Sequence, residues 1–227
     1  MKKSIELEVR GEIKKTEIPG LEARLKALGF RSIGETRRTS VMSFGDVSMF
    51  DRDKKRHGGP SFTQVDNRCR ITNSECEVVT KIGLTHASNR LEIGQQVDFK
   101  SFLTFAQMFA SMGFFTKVGS KLTKNFQRKS ISVALVQSPS GLAYIEIEKM
   151  TDRTQEKKDL KELTTLARQL EIKLWGTRKQ FLDFCKKLTD RDDWQFRGTA
   201  KNLIRLKKEI RQAGSDRNSH SVIASEV

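Results

Sequence analysis

Thiol and imidazole chemistry find little material in this chain. Cys69, Cys76 and Cys185 are odd in number and never fall into a CxxC spacing, so neither a disulfide framework nor a thiolate metal site is expected, and a reducing, cytoplasmic setting fits. His57, His86 and His220 lie far apart, which leaves no constellation for an imidazole metal site or for Ser/His or Cys/His catalysis. Neither GxxxxGK nor GxGxxG occurs, so a bound nucleotide would not rest on a glycine-rich cradle. No run approaches the roughly 18 apolar residues of a membrane span. From Lys2 and Lys3 the chain enters a charged segment with no apolar signal stretch, and the protein is expected to be soluble.

Charge is abundant instead. Of 227 residues 31% are charged and 36% hydrophobic, with a formal net charge of +15. Fourteen Phe and a spread of Leu, Ile and Val are too many for a disordered chain, so one domain with a lean core, alone or with a small appendage, is expected. A positive field over the whole molecule favours anionic partners such as nucleotides, polyphosphate or RNA without selecting among them.

Periodicity gives an α+β chain. Ser4 to Arg10 alternates Ile5, Leu7 and Val9 with Glu6, Glu8 and Arg10, the period of a strand. After Pro19-Gly20, Leu21, Leu25 and Leu28 recur at helical spacing up to Gly29, a short amphipathic helix. Residues 36 to 50 read as a strand and Asp51 to Pro60 as a charged loop. Asn67 to Thr72 and Glu77 to Ile82 flank Asn73-Ser74 as a hairpin, and Arg90 to Ile93 repeats the alternation. Ser101 to Met112 has the spacing of a helix whose core stripe is Phe102, Phe105, Met108 and Phe109. Lys117 to Val136 and Gly141 to Met150 read as two further strands. Lys157 to Leu170, with a buried stripe of Leu160, Leu163, Leu166 and Leu170, Phe181 to Leu188, and Lys201 to Gln212 read as helices. In strand after strand, charges of both signs share one face and aliphatic residues the other. If helices cover the aliphatic faces, a closed sheet would have a charged lumen.

Two strands from opposite ends of the chain each carry Glu-x-Glu: Glu6 and Glu8, then Glu146 and Glu148. Residues two apart in a strand point the same way, so each pair can present two carboxylates to one site. Four converging carboxylates resist ionisation unless a cation sits among them. Oxygen ligands without imidazole or thiolate select Mg²⁺ or Mn²⁺ over zinc. Taken alone, one Glu-x-Glu is most often the wet face of a half-exposed strand. Here Arg10, Arg68, Arg70, Lys81, Arg90, Lys121, Lys124 and Arg128 also sit in strand-like stretches. Carboxylates for a metal together with Arg and Lys for phosphate oxygens are what a metal-bound polyphosphate demands. A salt-bridge-laced sheet is the alternative.

Ile5-Glu6-Leu7-Glu8-Val9-Arg10 resembles the ExExK signature that opens the CYTH, or triphosphate tunnel metalloenzyme, family. Arg68-Cys69-Arg70, Lys81, Arg90-Leu91-Glu92, Val97-Asp98, the basic Lys121 to Arg128 stretch and Tyr144-Ile145-Glu146-Ile147-Glu148 follow in family order. The likeness spans roughly residues 4 to 188, ending in the Trp175 to Leu188 segment, and its strength is the ordered set. It implies an eight-stranded antiparallel barrel flanked by helices, whose charged tunnel holds a triphosphate. Glu6, Glu8, Glu146 and Glu148 would bind the divalent ion, with Glu6, Glu8 and Arg10 serving catalysis. Arg68, Arg70, Lys81, Arg90, Lys121, Lys124 and Arg128 would line the phosphate path. Three features depart from the family. The signature Lys is Arg10, which keeps the charge but cannot give up a proton. Val133 to Gln137 lacks the Asp usual before the late Glu pair, so that ligand is either missing or replaced by Glu92. Lys121-x-x-Lys124 stands where Lys-x-Arg is usual.

The resemblance implies a metal-dependent hydrolase of inorganic triphosphate, of a nucleoside or thiamine triphosphate, or of an RNA 5′-triphosphate. Its alternatives are an adenylyl cyclase of the same family, or a binder of polyphosphate or RNA ends without turnover. Residues 1–190 are assigned to the tunnel domain and 191–227 to a basic helix and flexible tail. Lys201, Arg205, Lys207, Lys208 and Arg211 on that helix read either as an RNA-contacting arm or as a solvated face.

Overall fold

The computed structural model describes residues 5–46, 64–82, 91–152 and 154–215. The elements follow as β1 (Ile5–Lys14), α1 (Ile18–Ala27), β2 (Arg31–Asp46), β3 (Gln64–Thr72), β4 (Glu75–Ile82), β5 (Leu91–Val97) and α2 (Phe99–Ser111). The second half holds β6 (Phe115–Arg128), β7 (Ile131–Gln137), β8 (Leu142–Thr151), α3 (Glu156–Gln169), α4 (Arg178–Arg191), β9 (Trp194–Gln195) and α5 (Ala200–Ser215). The chain is therefore α+β, as its periodicity indicates. The charged loop Asp51 to Pro60 and the tail beyond Ser215 lie outside the described residues. No helix among the described residues is long and apolar enough to cross a membrane.

The sheet differs from the expected closed eight-stranded barrel. Nine strands pair in the order β1-β8-β7-β6-β2-β3-β4-β5, with β9 added against β6, and among the described residues no ladder joins β1 to β5. Part of the outer edge of β1 is taken: the Trp175 amide donates to the Arg10 carbonyl at 2.9 Å, and the chain at Ile172 and Lys173 lies against Gly11. A sheet edge capped by coil cannot accept another strand. The stretch read as one strand, Lys117 to Val136, is a hairpin. Lys129 turns it with φ 52°, a conformation the alternation of side chains does not encode.

The chain divides into two compact units, residues 1–36 with 121–192 and residues 37–120 with 193–227. In the first unit, Leu7, Val9 and Ile13 of β1, Val133 and Leu135 of β7, and Ile145 and Ile147 of β8 form one apolar face. Leu21 and Leu25 of α1 and Leu163 and Leu166 of α3 cover it. Gly29, at φ 81°, ends the α1 segment in the left-handed conformation that glycine adopts without steric cost. Leu160 falls outside the apolar stripe of α3 and is 43% exposed; Asp159 is the buried neighbour. In the second unit, the hairpin of β3 and β4 turns at Asn73, with φ 62°. Cys69, Ile71 and Cys76 pack on one face against Phe102 and Ala106 of α2 and Leu206 of α5. Asp98 caps α2 by accepting from the Ser101 amide at 2.7 Å. Of the four residues read as the α2 stripe, Phe102 is fully buried and Met108 half exposed.

Candidate functional site

The carboxylates gather through register. β1 and β8 run antiparallel with Glu8 opposite Glu148 and Arg10 opposite Glu146, so all four side chains leave the sheet on the face away from the aliphatic core. Glu8, Glu146 and Glu148 are each half-buried and offer carboxylate oxygens lying within 4.8 Å of one another. Three hard oxygen donors at that spacing suit Mg²⁺ or Mn²⁺ and lack the imidazole or thiolate that would favour zinc. Ser132 and Ala134 of β7 stand beside Glu148 and Glu146 in the register, so the strand that lacks an Asp adds no carboxylate here. Glu6 is opposite Met150 in the β1–β8 ladder, and its side chain lies outside the described set.

Arg10 reaches into this group. Its Nε donates to Glu146 Oε1 at 3.0 Å, an Nη pairs with Glu8, and the guanidinium carbon stands 5.0 Å from the centre of the Phe181 ring. Burial pulls the Arg10 pKa down, but the Glu8 and Glu146 charges outweigh it and hold the group above its ordinary value. Phe181 is brought there by local sequence. Thr177 Oγ1 accepts from the Gln180 amide at 3.3 Å while the Gln180 side chain accepts from the Thr177 amide at 3.2 Å. This capping box starts α4 at Arg178, three residues before Phe181. Trp175 and Phe184 pack on Phe181 or on each other at 5.1–5.3 Å and close over Tyr144. The Tyr144 hydroxyl accepts from Lys121 Nζ at 2.7 Å. Burial, reinforced by the Glu146 charge, keeps that phenol protonated well above its usual range. Alternation placed Tyr144 beside Glu146 and Glu148 in the sequence; no such alternation ties Phe181 and Trp175 to them, because α4 and the coil before it bring these two from afar.

Lys124 and Arg128 do not join Lys121. Lys124 pairs with Leu135 and Arg128 with Ile131 across the β6–β7 ladder, positions on the aliphatic face beside Phe126. Lys124 Nζ bonds Glu22 at 2.6 Å, and Arg128 donates to the Leu28 carbonyl at 2.6 Å while lying over Phe30. An odd offset from Lys121 puts both on the wrong side of the strand for a group shared with Glu146, the consequence of an exact period of two.

The second unit holds its own basic set. Asp66, Arg68 and Arg70 of β3 stand opposite Lys81, Val79 and Glu77 of β4, all on the face away from Cys69. Arg68 donates to Asp66 at 2.6 and 2.8 Å, Arg70 to Glu77 at 3.2 Å, and Lys81 lies 2.5 Å from Glu92. Arg70 is 8% exposed, and its Nε has no acceptor among the described residues. Burial, together with the charges of Arg68 and Arg38, lowers the Arg70 pKa. Burial raises the Glu92 pKa, but Lys81, Arg70 and Arg68 outweigh it and leave the carboxyl below its ordinary range. Glu92 is thus engaged by cations. Arg90 lies outside the described residues.

No family model matches the sequence, and no curated protein matches it. Solved structures do match. The PH1012 protein of Pyrococcus horikoshii OT3 is 18% identical with a TM-score of 0.55, over 74% of this chain and 92% of that one. A Vibrio parahaemolyticus protein described as a "putative adenylate cyclase" is 15% identical with a TM-score of 0.55, over 79% of this chain and 98% of that one. The PH1819 protein of Pyrococcus horikoshii OT3 is 15% identical with a TM-score of 0.53, over 80% and 99%. At these identities the likeness is one of fold: the chain shares the architecture of these nearly whole proteins, a set that includes one described as a cyclase.

Proposed function

We propose that the chain belongs to the CYTH, or triphosphate tunnel metalloenzyme, family and is a divalent-metal-dependent hydrolase of a triphosphate. The observation that carries this reading is the convergence of Glu8, Glu146 and Glu148 from β1 and β8 on one face, with ligand oxygens within 4.8 Å of one another. These three residues would hold Mg²⁺ or Mn²⁺, with Glu6 as a fourth donor. A bound ion supplies Lewis-acid stabilisation of charge on the phosphoryl oxygens and orients a water for attack on the terminal phosphorus.

The chain's own cations hold the substrate. Arg68, Arg70, Lys81 and Arg90 are assigned to phosphate oxygens, and Arg70 supports this most directly: a buried guanidinium with a spare N–H beside another arginine gains from an anion. Lys121 is kept in the phosphate-binding set. Lys124 and Arg128 are assigned instead to the fold, holding Glu22 and the Leu28 carbonyl. Arg10 stays charged at any working pH, so it is assigned to electrostatic stabilisation and not to proton transfer. RNA 5′-triphosphate stays among the substrates because α5 exposes Lys201, Lys207, Lys208 and Arg211.

The test is phosphate release from tripolyphosphate, ATP, thiamine triphosphate and triphosphorylated RNA with Mg²⁺ or Mn²⁺. Release is expected to vanish with chelator and to fall about a hundredfold or more in a Glu146→Gln, Glu148→Gln double variant. Equal release by that variant would refute the site. The likeness to the Vibrio protein described as an adenylate cyclase supports a second reading, cyclisation of ATP by attack of the ribose 3′ oxygen with loss of pyrophosphate. Cyclic AMP without free phosphate would establish it, and salt-sensitive binding with no turnover would make the protein a binder of triphosphate ends.

A further inference from the structure

The geometry points to Arg10 as a gate on the metal site: its guanidinium bridges Glu8 and Glu146 and must leave before a divalent ion can use those carboxylates. The inference rests on the metal-site reading above and adds a regulation to it. Three observations carry it. The bridge is made by two donors of one planar group, Nε to Glu146 at 3.0 Å and an Nη to Glu8, a fork that matches two carboxylates as a single ammonium cannot. Of Glu8, Glu146 and Glu148, the three described residues whose oxygens could ligate an ion, two are the ones that Arg10 engages. The aromatic ring of Phe181, 5.0 Å from the guanidinium carbon, gives the bridging position an additional cation–π contact.

Displacing this bridge costs the ion a part of its binding free energy, because the carboxylates exchange one cation for another instead of relieving an uncompensated repulsion. Phosphate oxygens offer the fork an equivalent bidentate acceptor, so an anion that draws Arg10 away leaves Glu8 and Glu146 to the ion. Ion and phosphate then bind cooperatively, each favouring the state in which the bridge is open.

Mn²⁺ titration followed by the electron paramagnetic resonance of the free ion tests the gate without turnover. It is run on the full chain, on Arg10→Gln, Arg10→Lys and Glu148→Gln, with melting curves confirming that each is folded. Removing the fork is expected to tighten Mn²⁺ binding about tenfold in Arg10→Gln, the size of one charge-assisted pair. Arg10→Lys, which keeps the charge but cannot span both carboxylates, is expected to tighten it as well, by several-fold. Inorganic phosphate, a weak chelator, is expected to raise the affinity of the unaltered chain and to leave Arg10→Gln unchanged. Tightening in Arg10→Gln alone would overturn the gate in favour of a simple field effect, and absence of the phosphate effect would overturn the coupling. Unchanged affinity in both Arg10 variants, with binding still lost in Glu148→Gln, would remove the gate and leave the metal site standing. If no Mn²⁺ binding sensitive to Glu148→Gln appeared even in Arg10→Gln, the metal-site reading itself would fall.

Discussion

Next to Arg10 stands a residue whose only asset is its smallness. A Cβ built on Gly11 would lie 2.5 Å from the Lys173 carbonyl oxygen and 2.8 Å from Ile172 Cγ2, closer than packed atoms tolerate, and backbone cannot yield as a flexible side chain can. Gly11→Ala is therefore expected to cost about 1–3 kcal/mol, read as a lowered denaturation midpoint, and to loosen the coil that carries Trp175 to the candidate site. The thiols obey a related logic of confinement. Burial pushes the Cys69 thiol up to about 12 and raises Cys76 as well, so both remain protonated and slow to react at neutral pH. Cys185 is half-buried. A maleimide is expected to label Cys185 first and to reach Cys69 and Cys76 only with unfolding, as mass spectrometry of the digested protein would show. Fast labelling of Cys69 in the folded chain would contradict its placement.

At the scale of elements, α3 is tied to β8 by a carboxylate and not only by its leucines. Lys149 Nζ donates to Asp159 at 2.7 Å and to Glu162 at 2.7 Å, and the Thr151 hydroxyl donates to Asp159. The bonds from Lys149 and Thr151 hold the Asp159 carboxyl below its ordinary range. A carboxylate with a depressed folded pKa stabilises the fold above its unfolded value of about 3.9, and that contribution disappears as pH falls through the lower folded value. Asp159→Asn is thus expected to melt at a lower temperature than the unaltered chain at neutral pH, with the gap narrowing once pH drops below about 4. A gap that persisted unchanged at about pH 2, below both pKa values, would show that packing, not ionisation, accounts for it. In the second unit α5 is held by apolar burial: Leu206 is fully buried among Val41, Phe102 and Phe196. Leu206→Ala should cost about 3 kcal/mol, measured by chemical denaturation. The helix leaves its basic residues on the other side, because a period of 3.6 separates the two faces of one segment.

For the whole molecule the deciding quantity is a net charge of +15. Such a charge accelerates encounter with a polyanion at low salt and loses reach as the Debye length shrinks to about 8 Å near physiological ionic strength. Association of the unaltered chain with tripolyphosphate is expected to slow steeply as salt rises, while dissociation, if the proposed contact with buried Arg70 is made, is expected to change less. Stopped-flow binding across a salt series reads both. The formal charge is a sum over the sequence, whereas the sharing of acceptors is a property of the fold: Lys149, Lys124 and Arg10 each contact two carboxylates.

Alternation with period two and capping chemistry are written in neighbouring residues, so the sequence by itself determined the α+β class, the hairpin at Asn73, the aliphatic and charged faces of β1 and β8, and the pairing of Glu146 with Glu148 on one of them. Those features depend on residues one to four positions apart, whose relative direction the backbone fixes before any tertiary contact forms. Tertiary structure decided the rest. The coil at 172–175 lies against the edge of β1 at Arg10 and Gly11; the ladder places Arg10 opposite a glutamate 136 positions away; and a parity that the basic stretch alone could not assign sends Lys124 and Arg128 to the core side. Leu160 is likewise exposed while its neighbour Asp159 is buried, bonded to a lysine on β8. Each of these outcomes is set by register and by which surface covers a strand, quantities that belong to pairs of distant segments and that no single segment carries.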